Sequence, residues 1–282
     1  MLTYADDTVL LYACSNINEL VLQIESDLIE VETWFNANDL TLNLNKTKYI
    51  HFSLRQSYLN LNLKYHKVSC SSRASDCHCH TIQPVDNIKY LGLYIDSNLK
   101  WKTHINELGK KLRYALFKFY HLKNKISSSF LRTLYYAWFY SLFNYGSIIW
   151  GGEYRSNLQP LISLQNKCIK LINREHYPLN FRILKLLPIR YNAFFRIILH
   201  LHQNKSLCSF KVNPYSTRSN DVFQIPNYNK DIFCKHFFYL APKLYNRLPI
   251  DLTNINNYAT FKRELFNLLI NIDDLDLYFS LY

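Results

Sequence analysis

Near its start the chain reads Tyr4-Ala5-Asp6-Asp7-Thr8-Val9-Leu10-Leu11-Tyr12-Ala13. The residues after the two aspartates are β-branched, apolar or aromatic, and together they have the length of a strand. Adjacent aspartates at the start of such a segment indicate the tip of a β-hairpin. Because three residues precede Tyr4, we expect the first hairpin strand to be represented by its last residues, and the chain to be the tail of a longer protein.

An amphipathic helix is predicted to follow this hairpin. Asn16, with Glu19 three residues later, resembles a capping box, and apolar residues then recur at helical spacing until a predicted end near Asn38. Two half-buried strands are predicted through residues 40–45 and 50–52, on either side of a turn at Lys46 and Thr47. Strand, helix and strands in this order predict an α+β architecture.

The rest of the chain is predicted to be mainly helical. Residues 54–85 are polar and irregular, and residues 89–96 are predicted to form one strand in which Gly92 permits a close approach to the backbone. A loop or linker is expected over 213–229. Helical periodicity begins at Leu99, and further helices are expected at 133–152, 158–173, 189–202, 237–248 and 261–270. The serines at 127–129 can cap the helix at 133–152, and Gly151 and Gly152 can close it. Thr260 is expected to cap the last helix.

Charge is distributed unevenly along the 282 residues, which carry a formal net charge of +12. Residues 1–50 hold 8 acidic and 2 basic side chains, whereas the segment from Ser97 to Tyr135 holds 9 Lys or Arg and one acid, Glu107. Basic side chains gain affinity for a polyanion by releasing its counterions, and aromatic rings stack on bases. The composition therefore indicates a nucleic-acid partner, with an ordinary basic, soluble surface as the alternative.

The composition also bears on the compartment of the protein. The 7 cysteines are odd in number and scattered, and the chain does not open with a signal peptide, so a reducing nuclear or cytoplasmic location is expected. Residues 133–152 lack charges over a length that would span a bilayer. Because polar-tipped aromatic residues are spread along this segment, a buried helix and no membrane contact are expected.

Three segments together resemble the reverse transcriptases (RNA-directed DNA polymerases) of non-LTR retrotransposons of the jockey and chicken-repeat type. They are the YADD box at 4–13, the pattern W-F-x-x-N-x-L-x-L-N-x-x-K-T at 34–47, and the pattern Y-L-G-x-x-x-D, followed by Trp101 and a basic helix, at 89–102. The resemblance implies a partial polymerase palm at 1–96 and a helical thumb at 97–152. It implies a helical C-terminal domain at 153–282.

The resemblance also implies roles for individual residues. Asp6 and Asp7 would be catalytic ligands of Mg²⁺, which prefers oxygen ligands, and two such ions serve the intact polymerase in nucleotidyl transfer. Lys46 would protonate the leaving pyrophosphate, or else is a solvated lysine in a turn. Other residues would contact the DNA primer and the RNA template, or else are ordinary strand residues and a solvated helix face: Tyr4, Ala5, Tyr90, Leu91, Gly92, Lys100, Lys102, Lys110, Lys111, Arg113 and Lys118.

Departures from the family pattern limit the expected activity. The family completes its metal site with an Asp on an upstream strand and closes the dNTP pocket with upstream fingers, and neither lies in this sequence. We therefore expect a polymerase fragment that binds nucleic acid but does not polymerise by itself. The alternative is a non-catalytic RNA- or DNA-binding protein derived from a mobile element; a decayed reading frame is the remaining interpretation.

A cluster of potential zinc ligands lies outside the resemblance. Cysteine and histidine side chains are the usual ligands of protein-bound zinc. Five of them fall within 11 residues, in a spacing unlike that of common zinc fingers: Cys70, Cys77, His78, Cys79 and His80. Because ligands on neighbouring residues seldom point at one ion, the sequence leaves both a zinc site and an unliganded polar segment open.

Overall fold

Helices and a few short strands make up the chain, as a computed structural model shows for residues 1–5, 7–52, 61–66, 70, 77, 79–174, 181–211, 222–228 and 230–280. The strands are β1 (Leu2–Tyr4), β2 (Asp7–Val9), β3 (Lys48–Tyr49), β4 (Lys64–Tyr65), β5 (His80–Thr81), β6 (Gln83–Pro84), β7 (Asn87–Tyr90) and β8 (Leu93–Asp96). The combination of many helices with a few short strands confirms the predicted α+β class. The palm and thumb names and the three predicted domains stay predictions.

The helices lie mostly in the second half. They are α1 (Ile17–Ala37), α2 (Lys102–Leu122), α3 (Ser128–Leu134), α4 (Ser141–Asn144), α5 (Ser147–Trp150), α6 (Arg155–Asn173), α7 (Phe181–Leu184), α8 (Ile189–Gln203), α9 (Phe237–Tyr245), α10 (Ile250–Thr253), α11 (Tyr258–Asn271) and α12 (Leu275–Phe279). A π-helical turn, Tyr135–Tyr140, joins α3 to α4, and 3₁₀ turns cover Lys205–Leu207 and Asp231–Lys235. No helix of the described residues is long and apolar enough to span a membrane.

The chain divides into two compact units, which we describe separately. The first unit comprises residues 1–90 and 95–99, and the second comprises residues 91–94 and 100–282. In the first unit, α1 begins as predicted: the Asn16 side chain accepts a hydrogen bond from the Asn18 N–H (3.1 Å) and donates one to Glu19 Oε1 (2.8 Å). The helix ends with Asn38 as its C-cap, where its end was predicted.

The core of the first unit forms where α1 meets the short strands. Its buried side chains among the described residues are Leu28, Leu63, Tyr65 and Ile82, and Leu42 and Leu44 pack against them. The alternation of residues 40–45 thus puts leucines on the core, but these residues form no strand. The strand predicted at 40–45 is therefore wrong, and β3 lies just before the strand predicted at 50–52. β3 pairs with β6 in parallel and β4 with β5 in antiparallel orientation, and β4, β5 and β6 fall within the segment expected to be irregular.

Two further strand predictions need correction. The strand after the aspartates ends at Val9, which pairs with Leu2, the first residue of its antiparallel partner β1. The single strand predicted over 89–96 is interrupted by a two-residue turn. Leu91 and Gly92 both have positive φ (46° and 81°), the conformation of turns between antiparallel strands, so β7 ends at Tyr90 and β8 begins at Leu93.

The second unit is built from packed helices. Helix α2 lies along α6, and α8 packs on α5, α6, α9 and α11. Two clusters of buried apolar side chains fill the unit, one around α2 and α6 and the other around α8, α9 and α11. The helix predicted to begin at Leu99 is confirmed with its start at Lys102, and the helices predicted at 158–173 and 189–202 are confirmed within a few residues at each end. The apolar repeats of α2 and α6 each form one buried stripe, whereas α8 is buried on nearly all sides.

The uncharged segment 133–152 is not one helix. Ser127 caps α3 as predicted, by accepting a hydrogen bond from the Phe130 N–H (3.3 Å). The segment then passes through the π-helical turn and α4, and breaks at Gly146, which has a φ of 63°. Helix α5 ends at Trp150, next to the predicted glycine stop. Aromatic residues on both sides of the break, such as Phe143 and Trp150, are buried in the same cluster.

The C-terminal helices differ from prediction in two details. Asn257, rather than Thr260, caps α11, because the Asn257 side chain accepts a hydrogen bond from the Thr260 N–H (3.0 Å). The predicted linker 213–229 lies mostly outside the described residues. Its described part is packed: Phe223 is buried, and Asn246 Oδ1 accepts hydrogen bonds from the N–H groups of Val222 (3.1 Å) and Phe223 (3.0 Å). These residues belong to the helical unit.

Candidate nucleic-acid interface

Helix α2 separates an apolar face from a basic face. Its buried residues recur at helical spacing and pack in the core of the second unit: Ile105, Leu108, Leu112, Ala115 and Phe119. The opposite face carries Lys110, Lys111 and the ring of Tyr114, which is 65% exposed. Because packing of the apolar stripe fixes the rotation of the helix, it also fixes where the lysines point.

An open groove runs beside this basic face. Its volume is about 560 Å³, and its walls come from α2 and from the segment that includes the π-helical turn and α4. The residues that line it are Lys110, Lys111, Tyr114, Ala115, Lys118, Ala137, Trp138, Ser141 and Leu142. We call these nine residues the lysine–aromatic groove. It combines three cationic side chains with two partly exposed aromatic rings.

The lysines and rings of the groove contact one another. Lys118 Nζ lies 4.6 Å from the centre of the Tyr114 ring and 5.0 Å from the centre of the Trp138 ring. Such cation–π contacts limit the orientations of both partners. On the rim, Lys110 Nζ lies 2.5 Å from Glu107 Oε1 in an exposed ion pair, which contributes little to stability. A phosphate could be neutralised by these lysines while a base or sugar stacks on the rings.

The other predicted basic contacts lie outside the groove. Lys100 and Lys102 are exposed at the start of α2, and Arg113 is exposed on the same helix. These three side chains extend the positive charge of α2 without lining the groove. The structure thus brings together Lys110, Lys111 and Lys118 of the predicted set.

The hairpin with the aspartates is formed as predicted. Tyr4 pairs with Asp7, both are exposed, and Ala5 has a φ of 53°, a region that costs non-glycine residues energy. Asp6 lies outside the described residues. Asp7 offers the carboxylate oxygens that Mg²⁺ prefers. Among the described residues, no group of three or more potential ligands includes Asp7.

Lys46 is exposed in the predicted turn. Asn43 holds that turn, since its carbonyl oxygen accepts hydrogen bonds from the N–H groups of Lys46 and Thr47 (both 3.0 Å). Tyr90 is half-buried at the end of β7. The structure shows no contact that assigns Lys46 or Tyr90 a catalytic or primer-binding role, and both assignments stay predictions.

Gly92 has the close neighbour that the sequence predicted. A Cβ atom at Gly92 would lie 3.2 Å from the Tyr145 ring, and the Tyr145 hydroxyl donates a hydrogen bond to the Leu91 carbonyl oxygen (2.5 Å). The turn at Leu91 and Gly92 is therefore held by a side chain from the helical unit. Primer contact by Leu91 and Gly92 stays a prediction.

The cysteine-rich segment is brought together differently from the prediction. Cys70, Cys77 and Cys79 cluster as expected, but the histidine that joins them is His66. His80 is not in the group, and it pairs with Tyr65 in the β4–β5 ladder; His78 lies outside the described residues. The pKa of the Cys77 thiol is lowered, chiefly because the thiol accepts a backbone hydrogen bond from Cys79.

Three residues of these sites were missed at the sequence level. Tyr114 falls between Lys111 and Lys118 at helical spacing, a signal that could have been found by plotting exposed aromatics on the helix. Trp138 lies in the uncharged segment 133–152, where nothing in the sequence marks it as groove-facing. His66 stands four residues before Cys70, outside the dense run of ligands, and only strand pairing brings it close.

Comparison with known proteins gives two relatives. One is a probable RNA-directed DNA polymerase from transposon BS of Drosophila melanogaster, to which the chain is 25% identical over 173 residues. This alignment covers 60% of the chain and 18% of the transposon polymerase. The other is a probable RNA-directed DNA polymerase from transposon X-element of the same organism, to which the chain is 32% identical over 87 residues. This alignment covers 30% of the chain and 10% of that polymerase. Less than a fifth of either relative is therefore matched. The likeness supports the resemblance to reverse transcriptases.

No protein-family model matches the chain, and no solved structure matches it. The likeness to the two transposon polymerases therefore comes from aligned sequence.

Proposed function

We propose that this chain is part of an RNA-directed DNA polymerase of a non-LTR retrotransposon, and that its lysine–aromatic groove binds the template–primer duplex. The groove is the observation that carries the proposal, because it places three lysines and two aromatic rings on one open surface. Two transposon RNA-directed DNA polymerases that resemble the chain support the polymerase half of the proposal.

The groove suits a phosphate backbone for electrostatic reasons. Nucleic acids condense counterions, and each lysine that replaces one of them releases it to the solvent, which favours binding at low salt. Glu107, on the rim of the groove, is paired with Lys110. Tyr114 and Trp138 add ring faces that accept any base, so the expected recognition is of backbone and shape, with little sequence preference.

The aspartates of the hairpin are the proposed magnesium ligands. Asp6 and Asp7 would supply carboxylate oxygens to the ions that assist nucleotidyl transfer in the polymerase, and dNTP would be its substrate. The resemblance implies a further carboxylate on an upstream strand, so these two aspartates would supply only part of a two-ion site. We therefore derive no catalytic step for this chain by itself.

The salt dependence of binding tests the proposed groove. We expect the purified chain to bind an RNA–DNA hybrid with an affinity that falls steeply with salt concentration. Changing Lys111 and Lys118 to Gln should flatten the log–log slope by about 0.7–0.9 for each lost phosphate contact. The variant Trp138→Ala should weaken binding by about 1–3 kcal/mol with little change in slope. Fluorescence anisotropy over a salt series measures both quantities.

A matched control uses lysines on other helices. Lys167 of α6 and Lys262 of α11 are exposed and lie outside the groove, so their change to Gln removes the same charge elsewhere. If this control pair lowers the slope as much as the groove pair does, binding is a property of net charge and the groove assignment is wrong.

A further inference from the structure

Four side chains converge beside the short ladder of β4 and β5. His66 Nδ1 lies 3.5 Å from Cys77 Sγ and 3.8 Å from Cys70 Sγ, and Cys70 Sγ lies 3.6 Å from Cys79 Sγ. All four potential ligand atoms are within 4.8 Å of one another. Among the described residues, this is the one group of three or more Cys, His, Asp or Glu side chains arranged so closely.

Three of the six distances among these four ligand atoms match the edges of a coordination tetrahedron. Zinc binds thiolate at about 2.3 Å and imidazole at about 2.0–2.1 Å, which in a tetrahedron puts two sulfurs about 3.8 Å apart and a sulfur and a nitrogen about 3.6 Å apart. The three distances in the cluster fall on these values within the tolerance usual for metal sites. The donor set of three thiols and one imidazole is one that zinc favours.

We propose that His66, Cys70, Cys77 and Cys79 bind one zinc ion as a structural site. Four protein ligands fill a tetrahedral shell, so no position is left for a reacting water, and the site is expected to stabilise the fold. The spacing H-x3-C-x6-C-x-C would clip together a polar segment that contains few apolar residues of its own. The β-ladder brings the two ends of that segment together.

Strand pairing explains why ligands far apart in sequence meet. Tyr65 of β4 lies opposite His80 of β5 in the antiparallel register. His66 directly follows β4 and Cys79 directly precedes β5, so the two ligands are carried by the same end of the ladder. The other two ligands, Cys70 and Cys77, lie between them in the sequence.

A carboxylate orients the histidine. His66 Nε2, the ring nitrogen that faces away from the cysteines, lies 3.5 Å from Glu25 Oε2, and both residues are largely shielded from solvent. The other oxygen of Glu25 accepts a hydrogen bond from the Lys64 N–H (3.0 Å). Histidines that bind metals usually have such a carboxylate or carbonyl partner on the second nitrogen, which fixes the tautomer and the ring orientation.

A lysine lies beside the sulfurs and balances their charge. A zinc ion with three thiolates and one neutral imidazole carries a net negative charge. Lys64 Nζ is 3.9 Å from Cys77 Sγ and donates a hydrogen bond to the Cys77 carbonyl oxygen (3.3 Å). Its positive charge therefore lies where the proposed complex is most negative.

A disulfide does not account for the cluster. The Sγ atoms of Cys70 and Cys79 are 3.6 Å apart, whereas bonded sulfurs lie about 2.05 Å apart. None of the seven cysteines, all of which are among the described residues, is in a disulfide. Magnesium and calcium are poor candidates, because they prefer oxygen ligands to thiolates.

Metal analysis of the purified full chain tests the proposal. After purification without chelator, we expect equimolar zinc in the wild type and in Cys14→Ser, whose cysteine is exposed and outside the cluster. The variants Cys77→Ser and His66→Asn should lose most of the zinc, whereas His80→Asn should retain it. Clearly substoichiometric zinc in the wild type, or loss of zinc in His80→Asn but not in His66→Asn, would overturn the proposal.

Two further measurements keep the test independent of variant folding. Cobalt(II) added to the metal-free wild type should give the strong visible absorption of tetrahedral thiolate coordination; weak, octahedral-type absorption would contradict the site. Glu25→Gln should retain the zinc but weaken its affinity by about 10–100-fold, measured by competition with a chromophoric chelator. An unchanged affinity in a folded Glu25→Gln variant would contradict the orientation of His66 that the proposal requires.

Discussion

Gln165 shows how a single polar residue organises the helical unit. It is fully buried in α6, and its Nε2 donates hydrogen bonds to the Tyr135 hydroxyl (2.7 Å) and to the Leu187 carbonyl oxygen (3.0 Å). Its Oε1 accepts a hydrogen bond from the N–H of Ile189 (2.8 Å), the first residue of α8. Gln165 therefore satisfies a helix N-terminus that no side chain of its own segment caps.

Gln165→Leu should destabilise the chain by about 2–4 kcal/mol. The leucine would fill similar space, but the Ile189 N–H and the Leu187 carbonyl would lose their partners in a buried environment. Urea unfolding followed by circular dichroism measures the change. Gln159→Leu, at an exposed position on the same helix, should alter stability by no more than about 0.5 kcal/mol. Equal effects of the two substitutions would show that the buried hydrogen bonds contribute nothing specific.

His202 is a buried histidine of the helical unit. His202 stacks on the Phe261 ring at a centroid distance of 3.6 Å and is hydrogen-bonded to the Tyr245 hydroxyl (2.9 Å). Burial, with a smaller contribution from Lys205, lowers the pKa of His202 to about 4. Because the folded state disfavours the charged imidazolium, this histidine stays neutral at neutral pH and acts as part of the core.

At the scale of elements, close approach of backbones decides where glycine is needed. A Cβ atom added at Gly152, just after α5, would lie 2.2 Å from the Lys235 carbonyl oxygen. A neighbouring pair reinforces this contact: Lys235 Nζ lies 3.3 Å from both carboxylate oxygens of Glu153, which is buried. The chain segments at 152 and 235 are therefore held at a distance that only glycine permits.

Two glycine substitutions should therefore have opposite effects on stability. Gly152→Ala should cost about 1–3 kcal/mol, because backbone must move to make room. Gly109→Ala, inside α2, should stabilise by up to about 1 kcal/mol through helix propensity, since its added Cβ would meet its nearest atoms at 3.7 Å. Thermal unfolding of both variants checks the prediction. Destabilisation of similar size in both would contradict the packing described for these two positions.

Helices were predictable to the extent that their apolar stripes are regular. In α2 the buried side chains repeat at three or four residues and were assigned correctly, as were the caps at Asn16 and Ser127. The strands of the first unit were not, because two-residue strands such as β4 and β5 carry no periodicity. Their existence depends on pairing between segments distant in sequence, which a local pattern does not encode.

In the candidate sites too, residues on one regular helix were predictable, whereas residues brought in by packing or strand pairing were not. The lysines of α2 follow from charge and helical phase, whereas Trp138 enters the groove through the packing of a second element. Three of the four proposed zinc ligands could be named from the sequence. His66 could not, because its position beside Cys79 results from the ladder of β4 and β5.

At the scale of the whole molecule, we predict that the chain binds nucleic acid without extending a primer. The resemblance implies a further carboxylate at the metal site, and among the described residues no cluster of ligands surrounds Asp7. Primer extension with an RNA template, Mg²⁺ and all four dNTPs should therefore give no template-dependent product, while a hybrid is still bound. Template-dependent extension by the wild type that is lost in Asp6→Ala would contradict this prediction and would establish the chain as a working polymerase.

The π-helical turn explains how one helical segment keeps a single buried face. Leu131, Tyr135, Phe139 and Phe143 are all fully buried and follow one another at intervals of four residues. In a regular α-helix, which advances about 100° per residue, each such interval would rotate the side chain by about 40° away from the previous one. A wider turn winds more slowly, and Tyr135–Tyr140 lies in the middle of this series. The π-helical turn thus cancels the rotation that would otherwise build up from one buried residue to the next. All four side chains therefore remain directed into one core.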